Sequence, residues 1–317
     1  MRDVDEEEES QINNLRYSGL GMSADNGFKK IIKLLTPPIV LKAFTYLRSP
    51  SAPDHLLEFA PDAWDTKTIS NSEPSGWNAE NVAETERAKW DSFCRNLTGP
   101  GPLGFAHEHP DMTLTRHVPF HNVHMTYAYV LALTARHKDA ISVLDYGGAL
   151  GHYYQIARAV LPDVKIDFHC KEVPSLAAVG QQLNPEIHWH VDDRCLNRSY
   201  DLVMMNGSLQ YMPDWQATVA RVSAAANELF FLTRVPVVEH VRTFPARQRI
   251  YDTEMIHLQF NQDELLRVAE SAGLKLWREV VVGDRPYIHN APEQCELRGW
   301  IFKAARRSST SDNKEMA

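Results

Sequence analysis

The chain is poor in cysteine: four occur in 317 residues, at 94, 170, 195 and 295, and none forms a C-x-x-C pair. That spacing excludes a disulfide framework and a thiolate zinc site, and the four read as reduced, buried small hydrophobes. No apolar run approaches the roughly 18 residues a membrane span requires. The N-terminus is acidic and carries no cleavable signal pattern, so a cytoplasmic location is expected. There is no internal repeat and no basic excess. The formal charge of −8 argues against a dedicated nucleic-acid binder, although Asp3, Asp5 and Glu6 to Glu9 supply much of it, and setting those six aside leaves the rest near −2. Such a run reads as a solvated tail, so residues 1–26 are expected to be disordered. What remains, 44% hydrophobic and 23% charged, suffices for one large domain and a smaller appendage.

A phosphate-binding glycine pattern is also missing. The apolar run Ile141-Ser142-Val143-Leu144 leads into Asp145-Tyr146-Gly147-Gly148-Ala149-Leu150-Gly151-His152-Tyr153, which reads as strand, tight glycine turn and helix, the opening of an α/β binding unit. A diphosphate site wants G-x-G-x-x-G and no adjacent anion. Here Tyr146 holds the first glycine position, and Asp145 puts a carboxylate at the strand end. A cationic, phosphate-free ligand suits this turn better. S-adenosylmethionine, with a sulfonium, an ammonium group and two ribose hydroxyls, fits that description. Glu172 lies just past the next strand, 21 residues beyond Gly151, where a carboxylate can accept from both ribose hydroxyls. That spacing also suits a dinucleotide, and a solvated loop acid is the alternative for Glu172.

The runs Val143 to Gly151 and Asp201 to Tyr211, together with Glu172, resemble the class I S-adenosylmethionine-dependent methyltransferases over residues 115–303. Within that class, G-G-x-L-G-x-Y-Y-Q at 147–155, S-L-Q-Y at 208–211 and R-x-P at 234–236 are similar to a bacterial group of methyltransferase-like proteins that accompany surface-polysaccharide biosynthesis. The resemblance implies a Rossmann-like, seven-stranded, mostly parallel sheet with an antiparallel C-terminal hairpin and a helical N-terminal extension or cap. It implies that Asp145, Gly147, Gly148, Gly151, Tyr153 and Glu172 hold the cofactor, with Asn206, Gly207 and Ser208 beneath its methyl group. Asp192 and Asp193 accept from adenine or cap a helix. Tyr154, Gln155, Gln210 and Tyr211 belong to the acceptor pocket, and Arg234 binds an acidic acceptor. Ala149 stands where the narrower group has its second turn glycine.

The pattern along the chain supports that division. Residues 27–114 form the extension or cap, 115–304 the catalytic domain and 305–317 a polar tail. Two basic amphipathic helices within 28–48, interrupted at Pro37-Pro38, dock on the protein's own core, on a second subunit of a homodimer or peripherally on a membrane. A helix is expected at 79–96, with Glu84, Glu86 and Lys89 on its wet face and Val82, Trp90 and Phe93 inward. Trp64, Trp77 and Trp90 pack a small core or cover the ligand mouth. A helix over 119–137 precedes strands at 141–145, 164–170, 186–191, 201–206, 228–233, 274–282 and 296–303, with helices at 151–160, 175–183, 214–226 and 262–272. The insert Val235 to Phe260, with Arg242, Arg247, Arg249, Tyr251 and His257, suggests an anionic acceptor.

Five of fourteen histidines, at 107, 109, 117, 121 and 124, fall within 18 residues. One of them orients or deprotonates the acceptor, a divalent metal uses several, or they are ordinary polar residues. Carboxylates at ligand spacing are missing apart from Glu108 and Asp111, so no metal ligand set is assigned. His121, His124 and His257 are the candidate catalytic bases. The acceptor is expected to be a small molecule or saccharide. An NAD-type oxidoreductase and a non-catalytic scaffold that keeps the fold are the rival readings.

Overall fold

A computed structural model of the chain describes residues 56–63, 76–103 and 117–304, all of which fall within one compact unit spanning 54–317. The acidic tail at 1–26, the basic helices within 28–48, Trp64, the segment holding His107, Glu108, His109 and Asp111, and the tail at 305–317 lie outside the described residues.

Five strands alternate with helices in the first half of the catalytic region. They are β2 (Ala140–Tyr146), β3 (Lys165–Lys171), β4 (His188–His190), β5 (Tyr200–Asn206) and β6 (Ala226–Val238), after β1 (Leu56–Phe59). The helices are α1 (Glu80–Thr98), α2 (Val118–Thr134), α3 (His152–Val160), α4 (Pro174–Leu183), α5 (Trp215–Ser223) and α6 (Gln262–Ser271). Five more strands complete the sheet: β7 (Phe244–Ile250), β8 (Thr253–Asn261), β9 (Lys275–Val281), β10 (Ile288–His289) and β11 (Glu296–Lys303). Among the described residues these form an 11-stranded sheet. Its α/β half is seven-stranded in the order β4-β3-β2-β5-β6-β11-β9, parallel except for β11, which runs antiparallel to both neighbours. This is the Rossmann-like α/β sheet with an antiparallel pair at its C-terminal edge.

Strand alternation sorts the core into two layers. Leu202 and Met204 of β5 face the layer containing α1 to α4, with Val143, Phe168 and Phe231. Val203 and Met205 face the layer built with α5 and α6, with Leu144, Phe230 and Phe302. Near-continuous apolar strands covered on both faces are what a parallel sheet requires. Asp201 is tied at the opposite end from the turn: it accepts from Ser142 N (2.7 Å) and Lys138 Nζ (2.8 Å), so its role is to hold strand starts together.

Two expectations need correction. The insert 235–260 is not a loop: β6 continues to Val238, and β7 and β8 form a hairpin that extends the sheet through β1 to β10. Its tip is the two-residue turn Tyr251-Asp252, both at positive φ (53° and 57°), the geometry whose twist matches a hairpin. Arg247 and Arg249 lie beside Glu254 (2.7 and 3.4 Å), so these two cations are compensated within the hairpin. In α1, Glu84 is exposed but Glu86 and Lys89 are buried. Lys89 Nζ donates to Glu86 Oε1 (2.9 Å) and to the Tyr251 hydroxyl (3.1 Å), and that hydroxyl donates to Glu86 Oε1 (2.6 Å). The helix therefore clamps the hairpin tip and shares the main core through Val82 and Phe93 instead of forming a separate cap.

Candidate active site

The parallel strands β2, β3, β5 and β6 end on one side, where open α/β sheets bind ligands. The turn after β2 is fixed by backbone that side chains could not replace. Gly147 (φ 87°) donates from its N–H to the Lys171 carbonyl (2.8 Å), and a Cβ there would lie 2.4 Å from the Ser208 Cβ. A Cβ on Gly148 would lie 2.5 Å from Asp145 Oδ2 and 2.7 Å from Cys170 Sγ. Gly151 (φ 85°) stands before α3 and presses on Ile187 and Asn184. Ala149 also takes a left-handed conformation (φ 49°), which costs a residue with a Cβ about 1–2 kcal/mol. Its N–H donates to Glu172 Oε2 (2.8 Å), and Val173 N–H donates to Glu172 Oε1 (2.7 Å). Glu172 is thus buried at the C-terminal end of β3 and staples the glycine turn to it.

Asp145 is fully buried, and among the described residues neither of its carboxyl oxygens meets a hydrogen-bond partner. Burial, reinforced by Glu172, raises its pKa to about 8. Tyr127 of α2 and Cys170 lie near enough that Asp145 pushes both of their pKa values up further than burial alone does. At the end of β5, the buried amide oxygens Asn206 Oδ1 and Gln210 Oε1 likewise have no partner. Ser208 Oγ donates to the Tyr146 carbonyl (2.7 Å), joining the two loops. The ends of β2 and β5 are therefore rich in buried acceptor oxygens that lack donors among the described residues. A group carrying N–H bonds or positive charge satisfies them, whereas a diphosphate adds further acceptors.

The other expected residues divide. Arg234, at positive φ (55°) where β6 bends, places its guanidinium 4.7 Å from the Phe120 ring at the start of α2, and its carbonyl accepts from Gln210 Nε2 (3.5 Å). Tyr211 donates to Gln248 Oε1 (2.7 Å) and meets Trp77 and His257 edge to face at 5.2 and 5.3 Å. This brings β5, the hairpin and the segment before α1 together beside the mouth. Tyr153 packs edge to face on Tyr127 (4.9 Å) and near His124 (5.9 Å). Tyr154 belongs to the packed interior: it meets Phe168 at 5.5 Å, and its hydroxyl accepts from Arg158 (3.0 Å). Gln155 bonds Asn184 (2.6 Å), which in turn holds the Leu150 carbonyl, so both residues support the turn from behind. Asp192 caps the turn at 193–197, accepting from Arg194 N–H (3.0 Å), and lines a cleft of about 450 Å³ with Pro174, Ala177 and Trp189. Asp193 accepts from the Tyr146 hydroxyl (2.7 Å).

The three histidines separate by environment. His257 is buried, its Nδ1 accepts from Gln259 Nε2 (2.6 Å), and burial depresses its pKa to about 3. An imidazole of that basicity is a poor proton acceptor near neutral pH. His124 is buried and bonded through Nδ1 to the Leu103 carbonyl. His121 is half-buried on the same helix, and its Nδ1 meets no hydrogen-bond partner. Tyr127, Cys170 and Phe120 surround the site without having been expected there. The approach of Phe120 to Arg234 spans 114 residues with no local signal.

Comparison with curated proteins finds no match. Among solved structures, the chain is similar to magnesium protoporphyrin IX methyltransferase from Synechocystis PCC 6803 with bound SAM, at 13% identity and a TM-score of 0.44, covering 71% of this chain and 97% of that one. It is also similar to the 1,6-didemethyltoxoflavin-N1-methyltransferase of Burkholderia thailandensis, at 12% identity and a TM-score of 0.42, covering 75% and 92% respectively. A family model described as a methyltransferase domain matches residues 120–279, from the start of α2 into β9 and so across the whole glycine turn, and the chain belongs to that family.

Proposed function

We propose that the chain transfers the methyl group of S-adenosylmethionine to an oxygen or nitrogen of a small-molecule or saccharide-like acceptor. The observation that carries this reading is the buried, unpartnered Asp145 carboxylate beneath a turn whose glycines admit no side chain. When bound, the cofactor supplies an electrophilic methyl on a sulfonium, open to in-line displacement, so alignment and a dry site account for most of the rate. Asp145 receives the ligand ammonium, directly or through water. Glu172 keeps lone pairs beyond its two backbone bonds for the ribose hydroxyls, and the cleft beside Pro174 and Asp192 accommodates the base. Asn206 and Gln210 offer oxygens to the polar edge of the methionine portion or to the acceptor. Arg234, stacked on Phe120, orients an acidic group of the acceptor, and Tyr211 and Trp77 wall the entrance.

An acceptor that arrives protonated needs a base, and His121 is assigned that part. Replacing it with alanine lowers turnover by about 10²-fold or more while leaving cofactor affinity unchanged. A loss confined to affinity would reassign it. Calorimetry with S-adenosylhomocysteine tests the cofactor reading: one equivalent binds the wild type, and NADH produces no saturable signal. Binding of NADH, with S-adenosylhomocysteine inert, would favour the oxidoreductase.

A further inference from the structure

Neighbouring strands β3 and β4 carry a second polar constellation, Asp167-Phe168-His169 and His188-Trp189-His190. Residues two apart on a strand share a face. Parallel pairing sets His169 beside His188 and Lys171 beside His190, so Asp167 and the three histidines stand together on one face. Phe168 and Cys170 point to the opposite one, the face that holds Asp145. Asp167 Oδ1 lies 3.2 Å from His169 Nε2 and 3.3 Å from His188 Nε2, and the two imidazoles stack at 4.6 Å with a 29° interplanar angle. One atom from each of the three residues lies within 4.8 Å of the others.

Two ligands each about 2.1 Å from one metal ion stand roughly 3.0–3.4 Å apart across octahedral to tetrahedral angles, which matches both separations from Asp167. The ring nitrogen on the far side of His169 is also engaged: Nδ1 lies 2.8 Å from His190 Nε2. An outer hydrogen bond of this kind fixes the tautomer that presents Nε2 to a metal. A cation already occupies the position. Arg198 donates from one guanidinium nitrogen to Asp167 Oδ2 (2.8 Å) and from another to His169 Nε2 (2.9 Å), so these ligand atoms attract positive charge. Arg198 is exposed and can withdraw from His169 while keeping Asp167 oriented.

We propose that Asp167, His169 and His188 form a half-open site for a divalent ion of borderline softness such as Zn²⁺, with His190 positioning His169 and Arg198 as the competing cation. Two imidazoles and one carboxylate select such an ion over Mg²⁺ or Ca²⁺, which take oxygen ligands. The three ligands lie outside the glycine turn and outside the cleft beside Pro174 and Asp192, which of this constellation only His190 lines. The test titrates the full chain with Zn²⁺ alone by calorimetry and with Co²⁺ by visible absorption. Wild type takes up one equivalent at this site. His188→Ala and Asp167→Asn each weaken that binding at least tenfold, and Arg198→Ala tightens it severalfold by removing the competitor. His188 is exposed, so its alanine variant is expected to keep the wild-type circular dichroism spectrum, and S-adenosylhomocysteine binding serves as the control that should not move. Absence of saturable uptake, or uptake indifferent to both His188→Ala and Asp167→Asn, overturns the proposal and places any bound ion on other histidines.

Discussion

Asp145 concentrates the chemistry at the scale of single residues. Its pKa is raised from 3.8 to about 8 by burial and by Glu172, so the folded chain keeps a proton that the unfolded chain releases. The stability this group contributes is complete below about pH 3.8 and drains away as pH rises towards 8. Asp145→Asn should therefore flatten the pH dependence of unfolding over that window, and denaturant titrations at several pH values would show it. An unchanged slope would mean that the group is ionised in the apo protein. The same linkage predicts that binding a ligand ammonium expels a proton near neutral pH, so heats measured in buffers of different ionisation enthalpy should diverge. At the neighbouring position, Ala149→Gly relieves a left-handed alanine and should be neutral or stabilising by up to about 1 kcal/mol. Gly148→Ala, by contrast, drives a methyl into Asp145 and Cys170 and should abolish cofactor binding.

Individual elements show where the sequence was legible and where it was not. The strand–turn–helix at 140–160 and the final strand at 296–303 could be read from β-branched runs, glycines and period, because their signals are local. The β7–β8 hairpin could not. Its tip is Tyr-Asp in place of the Asn-Gly or Asp-Gly that marks such turns, and its arginines look like binding groups until Glu254 is seen beside them. Glu86 and Lys89 misled for the same reason: charged residues on a helix default to the wet face, and their bonds to the distant Tyr251 carry no local signal. Removing one partner leaves the other charge buried, so Lys89→Met should cost about 3–5 kcal/mol, measurable by chemical denaturation. A loss below about 1 kcal/mol would mean that the pair is hydrated. Asp252→Gly, which suits a turn residue at positive φ, should be neutral or raise stability slightly.

Across the molecule, the seven-stranded α/β half carries the turn, and the four-stranded extension carries Gln248 and His257, which meet Tyr211. The glycine turn and the Glu172 that staples it were readable because their signals are local. Tyr211 and Arg234 were singled out by local motifs, but their meeting with Trp77 and Phe120 was not legible, since the four converge from separate stretches, and such convergence leaves no periodic trace. On the proposed reading, donor recognition lies in the common frame and acceptor choice in the hairpin and the α1 clamp. Trp77→Ala should accordingly raise the acceptor KM with little effect on S-adenosylhomocysteine affinity, as steady-state and binding assays would show in parallel.

On the proposed reading, a buried acid under a side-chain-free turn selects a cationic, phosphate-free donor. The most direct measurement is calorimetric titration of wild type and Asp145→Asn with S-adenosylhomocysteine across pH 6 to 8.5, a range of roughly the raised pKa. Wild-type binding is expected to be saturable, to strengthen with pH and to release a proton, and binding by the asparagine variant to be at least tenfold weaker and insensitive to pH. Equal affinity in both proteins at every pH would contradict it.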